Sequence, residues 1–211
     1  MNIFVEKLQS PDFPILFTKK DLKKLAFEKD VLDDLFNEAI IKSFVVNVYK
    51  GIYTLERMYR RTLLENGVLA QKIIPYSYVT TYSVLGDEGW IPEAVCKVTS
   101  ITNGNSIVID TGKFGSFRYD KIFDNIPTAG IFLKKTDQGE YKRASPLRAI
   151  CDYMYMFNKD WKGMKALSTN LRIHYEDLEN LKKDDFECLQ GQLGIKNLEV
   201  FLSNLRKELK L

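Results

Sequence analysis

The sequence predicts a mixed α+β chain, with a small helix–helix–hairpin module over residues 1–55 and a larger mixed α/β domain over 56–211. Three observations predict it. Apolar residues recur at helical spacing up to residue 41, and two β-prone runs then enclose a glycine turn. Residues 95–144 change to the alternation of half-buried strands, and helical spacing returns at 145. At 211 residues, 45% hydrophobic and 28% charged, the chain has an ordinary globular composition and enough length for a real core.

Residues 2–8 predict a short helix, broken at Ser10-Pro11-Asp12-Phe13-Pro14. Thr18 is placed as the N-cap of a second helix, in which Leu22, Leu25 and Ala26 share a face and leave Lys19, Lys20, Lys23 and Lys24 outside. Residues 28–41 carry Val31, Leu32, Leu35, Phe36, Ala39 and Ile40 at spacings of one and four, a single apolar stripe. The runs 44–48 and 52–55 then flank Tyr49-Lys50-Gly51 as a hairpin. Helix, helix, hairpin is the order of a winged helix-turn-helix, whose second helix enters the major groove and whose hairpin tip reaches the DNA backbone.

Residues 56–74 predict a helix with Arg57, Arg60 and Arg61 early and Pro75 as its stop. A shorter helix is expected over 78–88, ending at Gly89. Between 95 and 144 four or five strands are expected, with Asn103-Gly104 as a hairpin turn between the first two. Ser145-Pro146 reads as the N-cap and first turn of a helix carrying Leu147, Ile150, Cys151, Met154 and Phe157. The last helix, 197–209, aligns Leu198, Phe201, Leu202, Leu205 and Leu209 on one face, which reads as core.

Several chemistries lack raw material. His174 is the single histidine, so neither a Ser-His-Asp triad combination nor a multi-histidine metal site is expected, and no phosphate-loop, dinucleotide-binding or zincin motif occurs. No cofactor, no metal and no enzymatic activity are expected. Cys96, Cys151 and Cys188 are widely spaced and odd in number, the pattern of reduced thiols. With no basic-then-apolar leader and no apolar run of membrane-spanning length, a cytoplasmic protein without membrane contact is expected.

The 31 Lys+Arg against 28 Asp+Glu give a net charge of +3, so a nucleic-acid partner must be argued from where the charges lie. Lys19, Lys20, Lys23, Lys29, Lys42 and Lys50 surround the helix–helix–hairpin module, and Arg57, Arg60 and Arg61 follow it. Together with Thr18 at a helix start and Tyr49 and Tyr53 on the hairpin, they are the candidate DNA-binding residues, suited to backbone phosphates. The lysine-rich helix equally fits a solvated amphipathic face. Between 112 and 148 stand eight basic and four acidic residues. Arg118, Lys134, Lys135, Lys142 and Arg143 form a second candidate basic surface, or the polar face of a half-exposed sheet. Arg148 and Asp152, one helical turn apart, read as a structural ion pair. Residues 28–41 set Glu28, Asp30, Asp33, Asp34 and Glu38 against Lys29 alone, which disfavours phosphate contact. The alternative to DNA binding is therefore a protein-interaction module whose acidic helix docks on a basic partner.

Four ordered pieces carry a family resemblance. Tyr78-Val79-Thr80-Thr81-Tyr82-Ser83-Val84-Leu85-Gly86-Asp87-Glu88-Gly89-Trp90-Ile91-Pro92-Glu93 has a Tyr-aliphatic-Thr start, then Ser-x-Leu, a Gly and a closing Pro-Glu. Val98-Thr99-Ser100 follows, Ala144-Ser145-Pro146-Leu147-Arg148-Ala149-Ile150-Cys151-Asp152 comes later, and Lys50-Gly51-Ile52-Tyr53 lies upstream. In this order and spacing, over residues 15–160, they resemble AbiEi-type antitoxins. Family members usually carry Glu where Leu147 stands and often His where Glu88 stands. The resemblance implies a non-enzymatic antitoxin of a type IV toxin–antitoxin pair, acting in abortive infection, a phage defence. It implies a winged helix that represses its own operon by binding operator DNA, and an antitoxin-type C-terminal domain that counteracts a nucleotidyltransferase toxin, not necessarily by direct binding. The toxin's own signature, Gly-Ser followed by closely paired acids, is unmatched, since Gly115-Ser116 leads only to the well-separated Asp120 and Asp124.

Overall fold

The computed structural model describes residues 3–122 and 126–211. Residue 2, expected to open the first helix, and Asp124 lie outside the described residues. The chain is a mixed α+β protein in two compact units, residues 1–73 with 135–140, and residues 74–134 with 141–211. The boundary read from the sequence at residue 55 falls inside the first unit.

The first unit contains α1 (Ile3–Leu8), α2 (Lys19–Leu22), α3 (Lys29–Ile41), the hairpin β1 (Val45–Tyr49) and β2 (Ile52–Leu55), and α4 (Asn66–Ile73). Its core joins Phe4, Val5 and Leu8 to Phe13, Phe17, Leu22, Phe36, Ala39, Val45 and Leu55. Apolar residues four and three apart on α3 place Leu32, Phe36 and Ala39 inward. Val31 and Ile40, expected in the same stripe, stay 47% and 40% exposed. At 100° per residue they fall on the two shoulders of an arc centred on Leu32, Phe36 and Ala39.

Lys50 and Gly51 both have positive φ (33° and 82°), the backbone that closes a two-residue hairpin without splaying its strands. The strands pair Val45 with Leu55 and Asn47 with Tyr53, with a bulge between Asn47 and Tyr49. Phe17 and Tyr53 exchange both backbone hydrogen bonds, at 2.9 and 2.7 Å, and add a short third bridge to the hairpin.

The helix expected over 56–74 is replaced by a single 3-10 turn at Arg57–Tyr59, an extended Arg60, and α4 only from Asn66. Tertiary partners outcompete local helix here. Arg61 donates to the carbonyls of Gln9 and Phe13, both at 3.2 Å, while the Gln138 amide accepts from Glu65 N (2.9 Å) and donates to Thr62 Oγ1 (2.9 Å) and to the Leu63 carbonyl.

The second unit contains β3 (Ser77–Val79), α5 (Tyr82–Asp87), β4 (Lys97–Thr102), β5 (Ile107–Asp110), β6 (Ser116–Asp120), β7 (Ile131–Thr136), β8 (Gly139–Ala144) and α6 (Pro146–Met156). It ends in α7 (Met164–Asn170), α8 (Tyr175–Leu178), α9 (Lys183–Leu189) and α10 (Lys196–Glu208). The tip of the β7–β8 hairpin, 135–140, groups with the first unit. The six-stranded sheet has the order β5-β6-β4-β3-β8-β7, with β4 parallel to β6 and β3 parallel to β8.

Two further expectations are corrected. Residues 78–88 are a strand followed by a helix, because Thr81 at φ 52° breaks the backbone between them. Asn103-Gly104 does not turn a hairpin, because β6 lies between β4 and β5. Phe117 and Tyr119 on β6 are fully buried and belong inside the sheet, whereas β5 exposes Ile107 and Val108 and suits its edge. The start of α6 is as the sequence predicts, with Pro146 in the first turn and Ser145 Oγ accepting from Arg148 N at 3.2 Å. On α10, Leu198, Phe201, Leu202 and Leu205 are core. Among the described residues, no helix is long and apolar enough to cross a membrane.

At α2 the capping group is Asp21, whose Oδ2 accepts from Thr18 N at 2.8 Å and from Thr18 Oγ1 at 2.9 Å. Partial burial raises the Asp21 carboxyl, but the two Thr18 donors, Lys72 and Lys24 bring it below its ordinary value of 3.8. The folded pKa thus lies below the unfolded one, so the contribution is complete above pH 3.8 and disappears as pH falls through the folded value. Asp21→Ala is expected to cost about 1 kcal/mol at pH 7 and almost nothing once the carboxyl is protonated, read by urea unfolding at several pH values.

Candidate functional site

Two separated parts of the sequence meet inside the second unit. The alternation of β3 and the helical spacing of α6 direct Tyr78, Thr80, Arg148 and Asp152 to one point. Arg148 Nε donates to Asp152 Oδ1 at 2.7 Å, and Thr80 Oγ1 and Tyr78 Oη donate to Asp152 Oδ2 at 2.7 and 2.9 Å. Arg148 Nη2 donates to Tyr78 Oη at 2.9 Å, and Nη1 donates to the carbonyls of Pro127 (2.9 Å) and Ala129. The two charged side chains are 0% and 1% exposed.

Burial raises the Asp152 carboxyl, opposed by the Arg148 guanidinium and the hydroxyls of Thr80 and Tyr78. Burial also weakens Arg148 as a cation, but Asp152 and Tyr78 more than restore it. The Tyr78 hydroxyl is raised by burial and by Asp152, and the neighbouring Cys151 thiol is raised by its complete burial. A buried network in which each member holds another fixes the geometry of the elements around it. The ion pair read from the sequence is therefore the centre of a larger buried constellation. Thr80, just past the end of β3, stands two residues from Tyr78, the spacing that puts both side chains on one face.

Gly130 shows how closely the loop fits this network. It has φ 69°, and a Cβ there would stand 2.9 Å from Arg148 Cβ and 2.7 Å from Leu189 Cδ2. On the other side of Thr80, Thr81 is 1% exposed and keeps its φ of 52° and ψ of −133°. For a β-branched residue this costs about 1–3 kcal/mol, which the surroundings must supply.

The candidate DNA-binding residues of the first unit divide by what already holds them. Lys20, Lys23, Lys29, Lys50 and Arg57 are exposed. Lys19 lies 5.2 Å from the Phe36 ring centroid and Lys50 5.2 Å from that of Tyr49. Lys42 pairs with Glu38, Arg61 is bound to two backbone carbonyls, and Arg60 is partly buried, with burial and Arg57 lowering its pKa. Thr18 is occupied by Asp21, so the short α2 offers a carboxylate where a phosphate was expected to sit. Tyr53 packs against the core, stacked on Phe17 and edge-on to Phe36 at 5.0 Å, while Tyr49 is half-buried. Asp30, Asp33 and Asp34 of α3 face solvent.

The second basic set likewise divides by what already holds its members. Arg143 is 4% exposed, donating to Glu88 at 2.7 Å and lying 5.8 Å from the Phe132 ring centroid. It alternates with the buried Tyr141 along β8, a signal present in the sequence. Arg118 holds Asp120 through two bonds of 2.6 and 3.0 Å. Lys134 lies 5.8 Å from the Tyr141 ring centroid, Lys142 is exposed, and Lys135 belongs to the first unit. His174 is exposed at the start of α8.

Comparison with protein-family models and with curated proteins found no match.

Asp152→Ala leaves the guanidinium buried without its counter-ion and is expected to lower stability by about 3–5 kcal/mol in urea unfolding. Gly130→Ala, which forces a Cβ against Arg148 at positive φ, is expected to cost about 2 kcal/mol or more by the same measurement.

Proposed function

We propose that this chain is the antitoxin of a type IV toxin–antitoxin pair of the AbiEi type, counteracting a nucleotidyltransferase toxin and repressing its own operon. The observation that carries the reading is the meeting of Tyr78 and Thr80 with Arg148 and Asp152 in one buried network. These residues come from the two longest pieces that resemble the family, so the likeness falls on side chains that act together. In this reading the first unit is a winged helix with α3 toward the major groove. The second unit carries neutralisation of the toxin and works without a cofactor in the cytoplasm.

The cations at liberty define a DNA footprint smaller than the one read from the sequence. Lys20, Lys23, Lys29, Lys50 and Arg57 supply backbone contacts, and Lys50 sits at the tight turn of the hairpin. Arg61 serves the fold through Gln9 and Phe13. Binding of this kind neutralises phosphates and falls steeply with salt.

A second reading rests on the exposed acids of α3. If Asp30, Asp33 and Asp34 form the working face, the partner is a basic protein and specific DNA binding is absent. The two readings give opposite signs for one variant. Asp30→Asn with Asp34→Asn is expected to tighten operator binding, because it removes repulsion from phosphates; weaker binding to a protein partner with unchanged affinity for DNA would favour the second reading.

Lys50→Ala and Arg57→Ala are each expected to weaken DNA binding similarly across sequences and to reduce the salt slope by about one. Both variants are expected to relieve repression of the operon while still rescuing cells arrested by the toxin. Failure of the wild-type chain to rescue such cells would refute the antitoxin assignment.

A further inference from the structure

A groove of about 430 Å³ in the second unit is lined by Tyr82, Lys97, Thr99, Arg118 and Phe157, with Cys96 beside them. Its size is at the lower end of small-ligand sites. Thr99 of β4 and Arg118 of β6 stand directly opposite each other in the parallel register. Ser83 fixes α5 over β4, accepting from Thr99 N at 2.8 Å and donating to the Lys97 carbonyl, which sets Tyr82 beside these strands. Tyr82 and Phe157 each pack on Tyr153, with ring centroids 5.0 and 4.6 Å away, and Tyr153 in turn stacks on Trp161. The aromatic lining is thus rigidly backed, yet Phe157 remains 40% exposed.

The polar lining is built for an anion. Arg118 uses Nε and Nη2 for Asp120, leaving Nη1 for an incoming oxygen, and Lys97 is exposed. The one carboxylate in the lining, Glu93, is held by Arg172 and its pKa is lowered by that contact. Thr81, which also lines the groove, keeps its strained backbone in complete burial, and such strain concentrates at ligand sites.

We propose that this groove binds a nucleotide, with the base against Tyr82 and Phe157 and the phosphate on Lys97 and Arg118. Aromatic faces accept any base by stacking, and the paired cations require the phosphate. The occupant is a free mononucleotide or the unpaired end of an RNA, which present the same chemistry. The inference concerns the second unit alone and stands independently of DNA binding by the first.

The test is titration of the full chain with each of the four ribonucleoside 5′-monophosphates, with the matching nucleosides, and with a short single-stranded RNA, followed by NMR and by protection of Cys96 from alkylation. Monophosphates are expected to bind and protect Cys96, with nucleosides weaker. Lys97→Ala is expected to weaken binding about tenfold while unfolding remains unchanged. Phe157→Ala is expected to weaken nucleosides and nucleotides alike. Tighter binding of the RNA identifies a strand end as the occupant, and equal or weaker binding identifies the free nucleotide. Absence of binding by both at millimolar concentration, or binding that Lys97→Ala leaves unchanged, overturns the proposal.

Discussion

The second unit is organised around a guanidinium taken completely out of water. Burying the Arg148 charge costs several kcal/mol, and the fold offsets this by meeting its donors with Asp152, Tyr78 and two loop carbonyls among its partners. That requirement fixes four places at once. It sets the register of β3 against α6, the course of residues 127–130, and the absence of a side chain at Gly130. Thr80, the fourth, is held by Asp152 through its hydroxyl and by the Thr99 carbonyl through its N–H, immediately before the strained Thr81.

The same constraint reaches the surface. The turn at Thr81 aims α5 so that Ser83 binds β4 and Tyr82 meets Tyr153, and these contacts shape the groove beside Lys97 and Arg118. Just past the end of α5, Glu88 takes up the inward Arg143. Buried pairs of this sort contribute less to net stability than to selecting one arrangement over its competitors, because each unmatched alternative leaves a charge or a hydroxyl orphaned.

Signals that act locally were legible in the sequence. Ser145-Pro146 caps α6 because hydroxyl and ring each satisfy a first-turn requirement, and Lys50-Gly51 turns the hairpin because two positive φ angles are needed there. Arg148 and Asp152 were legible as a pair because one helical turn joins them. Decisions made by distant residues were not legible. The segment after Arg60 gives up its helical pattern to Gln138, more than seventy positions away, and Asn103-Gly104 yields to the burial of Phe117 and Tyr119 in an intervening strand. At the candidate DNA-facing site, charge was visible but its commitments were not. Arg61 and Arg143 each read as available and are each consumed by a partner from a distant segment, while Thr18 is taken by Asp21 within its own helical turn.

What remains on the first unit is a sparse set of cations around a helix whose outward face is acidic, so any operator complex must draw its affinity from phosphates at the flanks. The measurement that bears most directly on the proposed function is titration of the wild-type chain with the DNA upstream of its own gene, against a scrambled duplex, across a salt series. The antitoxin-repressor reading predicts a specific complex whose affinity falls steeply with salt and exceeds that for the scrambled duplex throughout. Equal, weak binding to both duplexes at every salt concentration would contradict it.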